Sequence, residues 1–242
     1  MCIRDSVSRE TLDEVRAGIK DTWLVGLGLI PLGLAFGLLM TQAGYAWWWT
    51  PIFSTVIYAK SLEFLAINMV AAGIGPLSAA VTGFMVNFRH IFYGLTYPRH
   101  LIRSWWGRRY SAYALTDETY AIVSARGPNA PVSGPRLLTI QVVCQLLWVI
   151  PGIIGALAGQ IIPPDVQGME FALNALFIVL AYEALQSSRD FGAVVLAMGM
   201  GILAMVLVPS SMLMVSLIAY FLLLLVRYWV PALDKKLTWR VR

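Results

Sequence analysis

Long apolar runs alternate with short polar connections along almost the whole chain. Runs of about 20 apolar residues are long enough to cross a bilayer as helices. A semi-apolar stretch at 110–125 stands apart, because acidic residues lie near its middle. The pattern predicts an all-α integral membrane protein with about 6–8 transmembrane or partly spanning helices. The predicted long segments are 23–42, 50–72, 76–97, 137–162, 169–185, 191–208 and 210–230.

The same pattern divides the chain into three parts. Residues 1–22 are predicted to be a polar, partly interfacial N-terminal segment, 23–230 a polytopic helical domain, and 231–242 a basic tail. The first part lacks the apolar core of a signal peptide. Basic residues behind the last apolar segment predict a cytoplasmic C-terminus. Three full crossings before residue 97 would then put the N-terminus outside, so either one of those segments is re-entrant or 110–125 crosses.

Composition agrees with a membrane protein. Of the 242 residues, 59% are hydrophobic and 13% are charged, whereas roughly a quarter of a soluble domain is charged. Most of the net charge of +5 lies beside the apolar segments, as it does in the loops of membrane proteins. No nucleic-acid partner is therefore predicted, and the predicted surroundings of the chain are membrane lipid. Cys2 and Cys144 give neither a disulfide framework nor metal-ligand spacing, and no metal or cofactor is predicted.

Polar side chains are concentrated on one face of the third segment. At about 100° per residue, that face collects Asn87, Arg89, His90, Tyr93 and Gly94, while the opposite face is apolar. An arginine at the bilayer centre costs about 2.5–3.5 kcal/mol, so such charges usually face a bundle interior or an aqueous cavity. The alternative is a helix end from which the arginine reaches the lipid headgroups.

Proline and glycine interrupt two of the predicted helices. The first carries Pro31, Gly33 and Gly37, and the fourth carries Pro151 and Gly152. Proline removes a backbone donor, and broken helices point to substrate sites in transporters. Close packing at the glycines is the alternative. The similar spacing of the two patterns also suggests two related three-helix repeats.

Acidic residues elsewhere in apolar surroundings are further candidates. Glu63 lies three residues after Lys60, so the two are predicted to pair on one helix face. Thr116 fits an N-cap, with Asp117 and Glu118 in the first turn of the helix that follows. The functional alternative is a re-entrant or half-spanning helix that brings both carboxylates towards a cavity.

These residues together resemble the AzlC family, the large permease subunit of two-component branched-chain amino acid exporters of the AzlC/AzlD type. The resemblance runs from about residue 21 to residue 228. It depends on Pro31 through Gly37, on Asn87-x-Arg89-His90-x-x-Tyr93-Gly94 and on Thr116-Asp117-Glu118. It implies export of branched-chain or related small neutral amino acids, a small hydrophobic AzlD-like membrane subunit, and a place in the bacterial cytoplasmic (inner) membrane.

The second segment departs from the family pattern. Lys60 stands where a glycine is usual, and Glu63 stands where a glutamine is usual. If this run approaches the substrate, the added charges change the specificity.

The leading functional hypothesis is a secondary transporter and not an enzyme. A small zwitterion needs hydrogen-bond donors for its carboxylate, which Arg89, His90 or the amides exposed at helix breaks could supply. Its ammonium group needs an acceptor such as Asp117, Glu118 or Glu63. Since no P-loop is present, an ion or proton gradient would supply the energy, with His90 and the carboxylates as candidate proton carriers.

Two other hypotheses remain at this stage. A membrane-embedded enzyme could use His90 with Asp117 and Glu118, although neither an HExxH nor a GxSxG motif is present. A channel or a non-catalytic subunit of a membrane complex is the other.

Overall fold

The computed structural model describes residues 2–126, 132–161, 190–209, 212–230 and 237–239, and the single positions 178, 182 and 185. The regular elements of these ranges are helices, which confirms the all-α prediction. A 3-10 helix at Arg99–Leu101 precedes α6. The α-helices are α1 (Cys2–Gln42), α2 (Trp49–Val56), α3 (Lys60–Ala71), α4 (Pro76–Asn87), α5 (Arg89–Thr96), α6 (Trp105–Tyr113), α7 (Asp117–Ser124), α8 (Gly134–Gly159), α9 (Phe191–Leu207) and α10 (Met212–Trp229).

Two of the described helices, α8 and the Val25–Gln42 part of α1, are long and apolar enough to cross a membrane. Shorter apolar helices lie at Phe191–Leu207 and Met214–Trp229. The predicted segment 169–185, with its polar residues Glu170, Asn174 and Glu183, lies outside the described residues except for positions 178, 182 and 185.

The chain divides into two compact units. The first contains Met1–Ile67 and Phe88–Gln167, and the second contains Asn68–Asn87 and Gly168–Arg242. Within the second unit, α10 packs against both α9 and α4. Arg227 of α10 is almost fully buried and donates a hydrogen bond to Asp190, the N-cap of α9, at 2.7 Å.

The core of the first unit is the pair α1 and α8, which run parallel. Their contacts advance in the same direction along both helices, from Gly18 beside Thr139 to Thr41, whose hydroxyl donates to the carbonyl oxygen of Ala156 at 2.9 Å. Parallel packing places the N-terminal ends of both helices on one side of the unit.

The predicted helix breaks at Pro31 and Pro151 are wrong. Both prolines lie inside continuous helices, as membrane helices allow when neighbouring groups satisfy the freed carbonyl. The close-packing alternative is the one observed. A Cβ on Gly33 would lie 2.8 Å from the carbonyl oxygen of Trp148, and a Cβ on Gly37 would collide with the backbone of Gly152.

Helices α6 and α7 form a short hairpin in the first unit. They have 9 and 8 residues, so each is about 13 Å long, less than half of a bilayer of about 30 Å. Tyr110 of α6 reaches Gln145 in the middle of α8, and after the turn Ile122 of α7 packs on Ile140, nearer the beginning of α8. The region 110–125 thus contains the end of one short helix and the whole of another, and neither is long enough to cross a bilayer by itself.

The polar N-terminal part of α1 lies on the side where this hairpin begins and ends. Asp21 accepts hydrogen bonds from Arg126, just after α7, and from Arg136 in the first turn of α8, the latter at 2.7–2.8 Å. Residues 98–104, Arg126 and 132–136 therefore lie on the side of the first unit where α1 begins.

Breaks occur instead where the sequence has neither proline nor glycine. The predicted segment 50–72 is two helices, α2 and α3, separated at 57–59, and the predicted segment 76–97 is interrupted at Phe88. Tyr58 between α2 and α3 has a φ of 41°. This left-handed backbone conformation is uncommon for a residue with a side chain.

Candidate functional site

Polar and ionisable side chains of the first unit converge between the hairpin tip, α3, α5 and the middle of α8. Burial in an apolar setting makes such groups costly unless they are paired. The group is called the polar cluster below. It comprises Ser54, Lys60, Glu63, Arg89, His90, Asp117, Glu118 and Trp148.

Lys60 pairs with Glu118. The ammonium nitrogen of Lys60 lies 2.6 Å from Oε2 of Glu118, and the two side chains are 11% and 25% exposed. The predicted pairing of Lys60 with Glu63 is therefore wrong. Lys60 is the first residue of α3, so its long side chain can extend beyond the end of that helix. There it reaches Glu118, which lies in the first turn of α7.

Two aromatic rings complete the surroundings of this ammonium group. Nζ of Lys60 lies 5.8 Å from the ring centroid of Tyr58 and 5.7 Å from that of Trp148. Both distances are within the range of cation–π attraction. The ammonium group therefore lies in a cage of one carboxylate and two rings.

The polar face of α5 turns towards Asp117. Arg89 forms an ion pair with this carboxylate, and Nε2 of His90 lies 3.6 Å from its Oδ1. The side chains of Arg89 and Asp117 are 44% and 32% exposed, so this pair is less buried than the Lys60–Glu118 pair. Arg89 thus pairs within the unit, and the apolar residues Ile91 and Phe92 of α5 are exposed.

Glu63 has no exposed surface, as is also true of Ser54 and Trp148. Its Oε2 accepts hydrogen bonds from the hydroxyl of Ser54 at 2.8 Å and from Nε1 of Trp148 at 3.0 Å. Phe36 and Phe64 pack against the indole of Trp148 with ring centroids 5.8 and 6.2 Å away. Neutral donors and aromatic rings therefore surround this carboxylate.

The charges of the cluster do not balance. It holds three carboxylates, at Glu63, Asp117 and Glu118, and two permanent cations, at Lys60 and Arg89. Because each cation is in an ion pair with one of the other two carboxylates, Glu63 has no cation of its own. It is also the only one of the three carboxylates with no exposed surface.

The remaining candidates of the third segment have different positions. The ring of Tyr93 stacks on Tyr120 of α7 at a centroid distance of 4.4 Å, which joins α5 to the hairpin. The carbonyl oxygen of Gly94 accepts from Arg99 at 3.5 Å. Asn87 ends α4 and belongs to the second unit.

Thr116 is the N-cap of α7, as predicted. Its backbone N–H donates to the hydroxyl of Thr119 at 2.9 Å, which closes the first turn. The cap places the next two residues, Asp117 and Glu118, in the first turn, where the helix dipole favours negative charge. The helix-cap interpretation and the functional hypothesis are therefore compatible, because both concern the same residues at the tip of the hairpin.

The proline and glycine candidates lie in α1 and α8, next to the polar cluster. Gly33 lets α1 approach the backbone of Trp148, and Gly152 lies beside Thr50 of α2, which packs on α8. Gly37 and Pro151 belong to the same helix contact, whereas Pro31 is exposed. The glycines thus allow the close contact between α1 and α8, the helix that carries Trp148.

Three participants were not predicted: Trp148, Ser54 and Tyr58. A tryptophan in an apolar helix resembles ordinary core, and a serine in such a helix is typical of helix packing. The one available signal was Glu63 itself, because a buried carboxylate requires donors. Nothing local identifies a donor that lies 85 positions away.

Comparison with known proteins covers this whole region. A model of the AzlC protein family matches residues 25–162, a range that contains every member of the polar cluster. A membrane protein of Helicobacter pylori is 31% identical over 72% of this chain and 77% of its own length.

Two further relatives carry more specific names. The branched-chain amino acid transport protein AzlC of Bacillus subtilis is 26% identical over 79% of this chain and 76% of its own. The inner membrane protein YgaZ of Escherichia coli is 29% identical over 72% and 74%. No solved structure matches.

Proposed function

The chain belongs to the AzlC family and is a membrane transporter, and we propose that it exports branched-chain or related small neutral amino acids. The observation that carries this proposal is that two neighbouring ion pairs, Lys60–Glu118 and Arg89–Asp117, lie at the tip of the short α6–α7 hairpin. They present both signs of charge to a solute inside an apolar unit.

A zwitterionic amino acid matches this arrangement. Its carboxylate requires cationic donors, and its ammonium group requires an anionic acceptor. Exposure falls from the Arg89–Asp117 pair to the Lys60–Glu118 pair and then to Glu63. A solute that enters from the exposed side would therefore meet the Arg89–Asp117 pair first, then the Lys60–Glu118 pair and finally Glu63.

Energy would come from an ion or proton gradient. Glu63 and His90 are the candidate proton carriers, because one is a carboxylate with no cation of its own and the other is an imidazole beside Asp117. Under this proposal, the chemistry of the cluster is binding and proton exchange and not catalysis.

The proposed setting is the bacterial cytoplasmic membrane with a small AzlD-like subunit. The family resemblance supports the subunit. The concentration of basic residues at 99–109, 126 and 136 supports placing this side in the cytoplasm.

Counterflow in proteoliposomes tests the proposal. Vesicles loaded with unlabelled valine should accumulate labelled valine when they contain this protein, alone or co-purified with the protein encoded beside it. Empty vesicles are the control. Absence of counterflow for every neutral amino acid, with and without the second protein, would contradict the proposal, and ion currents without amino acid flux would favour a channel.

A further inference from the structure

Lys60 occupies a site built for an ammonium group. A carboxylate oxygen lies 2.6 Å from its nitrogen, and two aromatic rings lie within 6 Å. Carboxylates and aromatic faces are the groups with which proteins bind free ammonium ligands. The present occupant is a side chain of the protein itself, at the end of a flexible stem of four methylene groups.

Tyr58, whose ring faces this ammonium group, has a buried hydroxyl that a ligand could use. The side chain is only 3% exposed, and its hydroxyl has no hydrogen-bond partner among the described residues. The same residue has a backbone φ of 41°. Buried unpaired hydroxyls and strained backbone are both unfavourable, and both persist mainly at functional sites.

The neighbouring carboxylates are already held by other groups. Glu63 accepts from Ser54 and Trp148, and Asp117 is held by the guanidinium of Arg89. Glu118 differs because its cation is a single ammonium on a flexible chain. Lysine can withdraw from such a contact more readily than arginine can leave a carboxylate.

We propose that the Lys60–Glu118 pair opens to receive an amino acid zwitterion, with the ammonium group of the ligand on Glu118 and its carboxylate on Lys60. The hydroxyl of Tyr58 donates a second hydrogen bond to that carboxylate. The inference rests on the proposed function and adds that Lys60 is a specificity-determining residue.

Charge balance explains the selectivity that this site would have. A zwitterion that enters an ion pair leaves the net charge unchanged and gives each protein charge a new partner. An amine without a carboxylate would leave Lys60 unpaired, and an acid without an amino group would leave Glu118 unpaired. In either case a charge of the protein would remain desolvated and unpaired, which is strongly unfavourable.

Binding to the purified protein tests this directly. Calorimetry would compare L-valine with isobutylamine, which lacks the carboxylate, and with isovalerate, which lacks the amino group. Wild-type protein should bind valine and neither analogue. Lys60→Met should weaken valine binding by about tenfold or more and admit isobutylamine, whereas Glu118→Gln should admit isovalerate.

Matched variants separate recognition from a general loss of charge. Arg16→Gln removes a cation from an exposed surface pair and should bind valine as the wild type does. Lys60→Arg keeps the cation but should hold Glu118 more firmly, so it should recover only part of the valine affinity and should still reject isobutylamine. If Lys60→Met fails to fold, the double variant Lys60→Met/Glu118→Gln removes both charges together and should bind all three ligands weakly.

Several results would overturn the inference. Unchanged valine affinity in Lys60→Met would show that the ion pair is structural, and so would a wild type that binds both analogues as well as valine. A wild type that binds none of the three also contradicts it. Failure of the proposed function looks different, because wild-type protein would then bind valine but show no counterflow.

Discussion

Nε1 of Trp148 lies 3.0 Å from Oε2 of Glu63, so the long helix α8 donates a hydrogen bond to a carboxylate with no exposed surface. The second donor is Ser54 of α2, on the other side of the break that precedes α3. One buried carboxylate thereby joins three helices. Its position depends on the close contact between α1 and α8, because Gly33 makes room for the backbone of Trp148.

We expect Trp148→Phe to destabilise the protein by about 1–3 kcal/mol, because Glu63 loses one of its two donors while an aromatic ring is retained. Thermal unfolding in detergent measures the effect. Trp106→Phe is the matched control, since Trp106 is exposed, and should change little. In a Glu63→Met background the cost of Trp148→Phe should fall. An equal cost in both backgrounds would attribute the loss to packing alone.

Local pattern predicted the polar face of α5 and the acidic tip of α7 correctly. Periodicity placed Arg89 and His90 on one face, and the cap pattern placed Asp117 in a first turn. These features are set by helix geometry over a few residues. The contact between the polar face of α5 and the tip of α7 could be inferred only from the cost of burying unpaired charge.

The errors arose where distant contacts decide the outcome. Lys60 was assigned to Glu63 by helical spacing, but it reaches Glu118, 58 positions away. Pro31 and Pro151 were interpreted as breaks, yet packing between α1 and α8 keeps both helices continuous. The real break at Tyr58 has no proline or glycine to mark it.

We expect Glu63→Gln to uncouple transport from the proton gradient. Glutamine keeps an acceptor for Ser54 and Trp148 but cannot exchange a proton. Counterflow of labelled valine should persist, while uphill transport driven by an imposed pH gradient should be lost. Glu10→Gln, at an exposed position, should keep both. Proton-driven accumulation by the Glu63 variant would place the coupling on another group.

We expect Arg89→Gln and Asp117→Asn each to abolish counterflow with little loss of stability. The pair is partly exposed, and such pairs contribute about 0–1 kcal/mol to folding. Transport and thermal unfolding are to be measured on the same preparations. Arg103→Gln, which removes an exposed cation, should transport normally. Near-normal counterflow from both site variants would remove this pair from the binding site.

We expect Gly37→Ala to destabilise the protein by about 3 kcal/mol or more, because the new methyl would collide with Gly152 and lie 2.6 Å from the backbone nitrogen of Ala156. Gly28→Ala is the control on the same helix. A Cβ at Gly28 meets no described atom within 4 Å, so this change should stabilise the helix by up to about 1 kcal/mol. Thermal unfolding in detergent distinguishes the two. Equal effects would show that the α1–α8 contact does not limit stability, whereas the expected difference would confirm that close glycine packing between α1 and α8 stabilises the first unit.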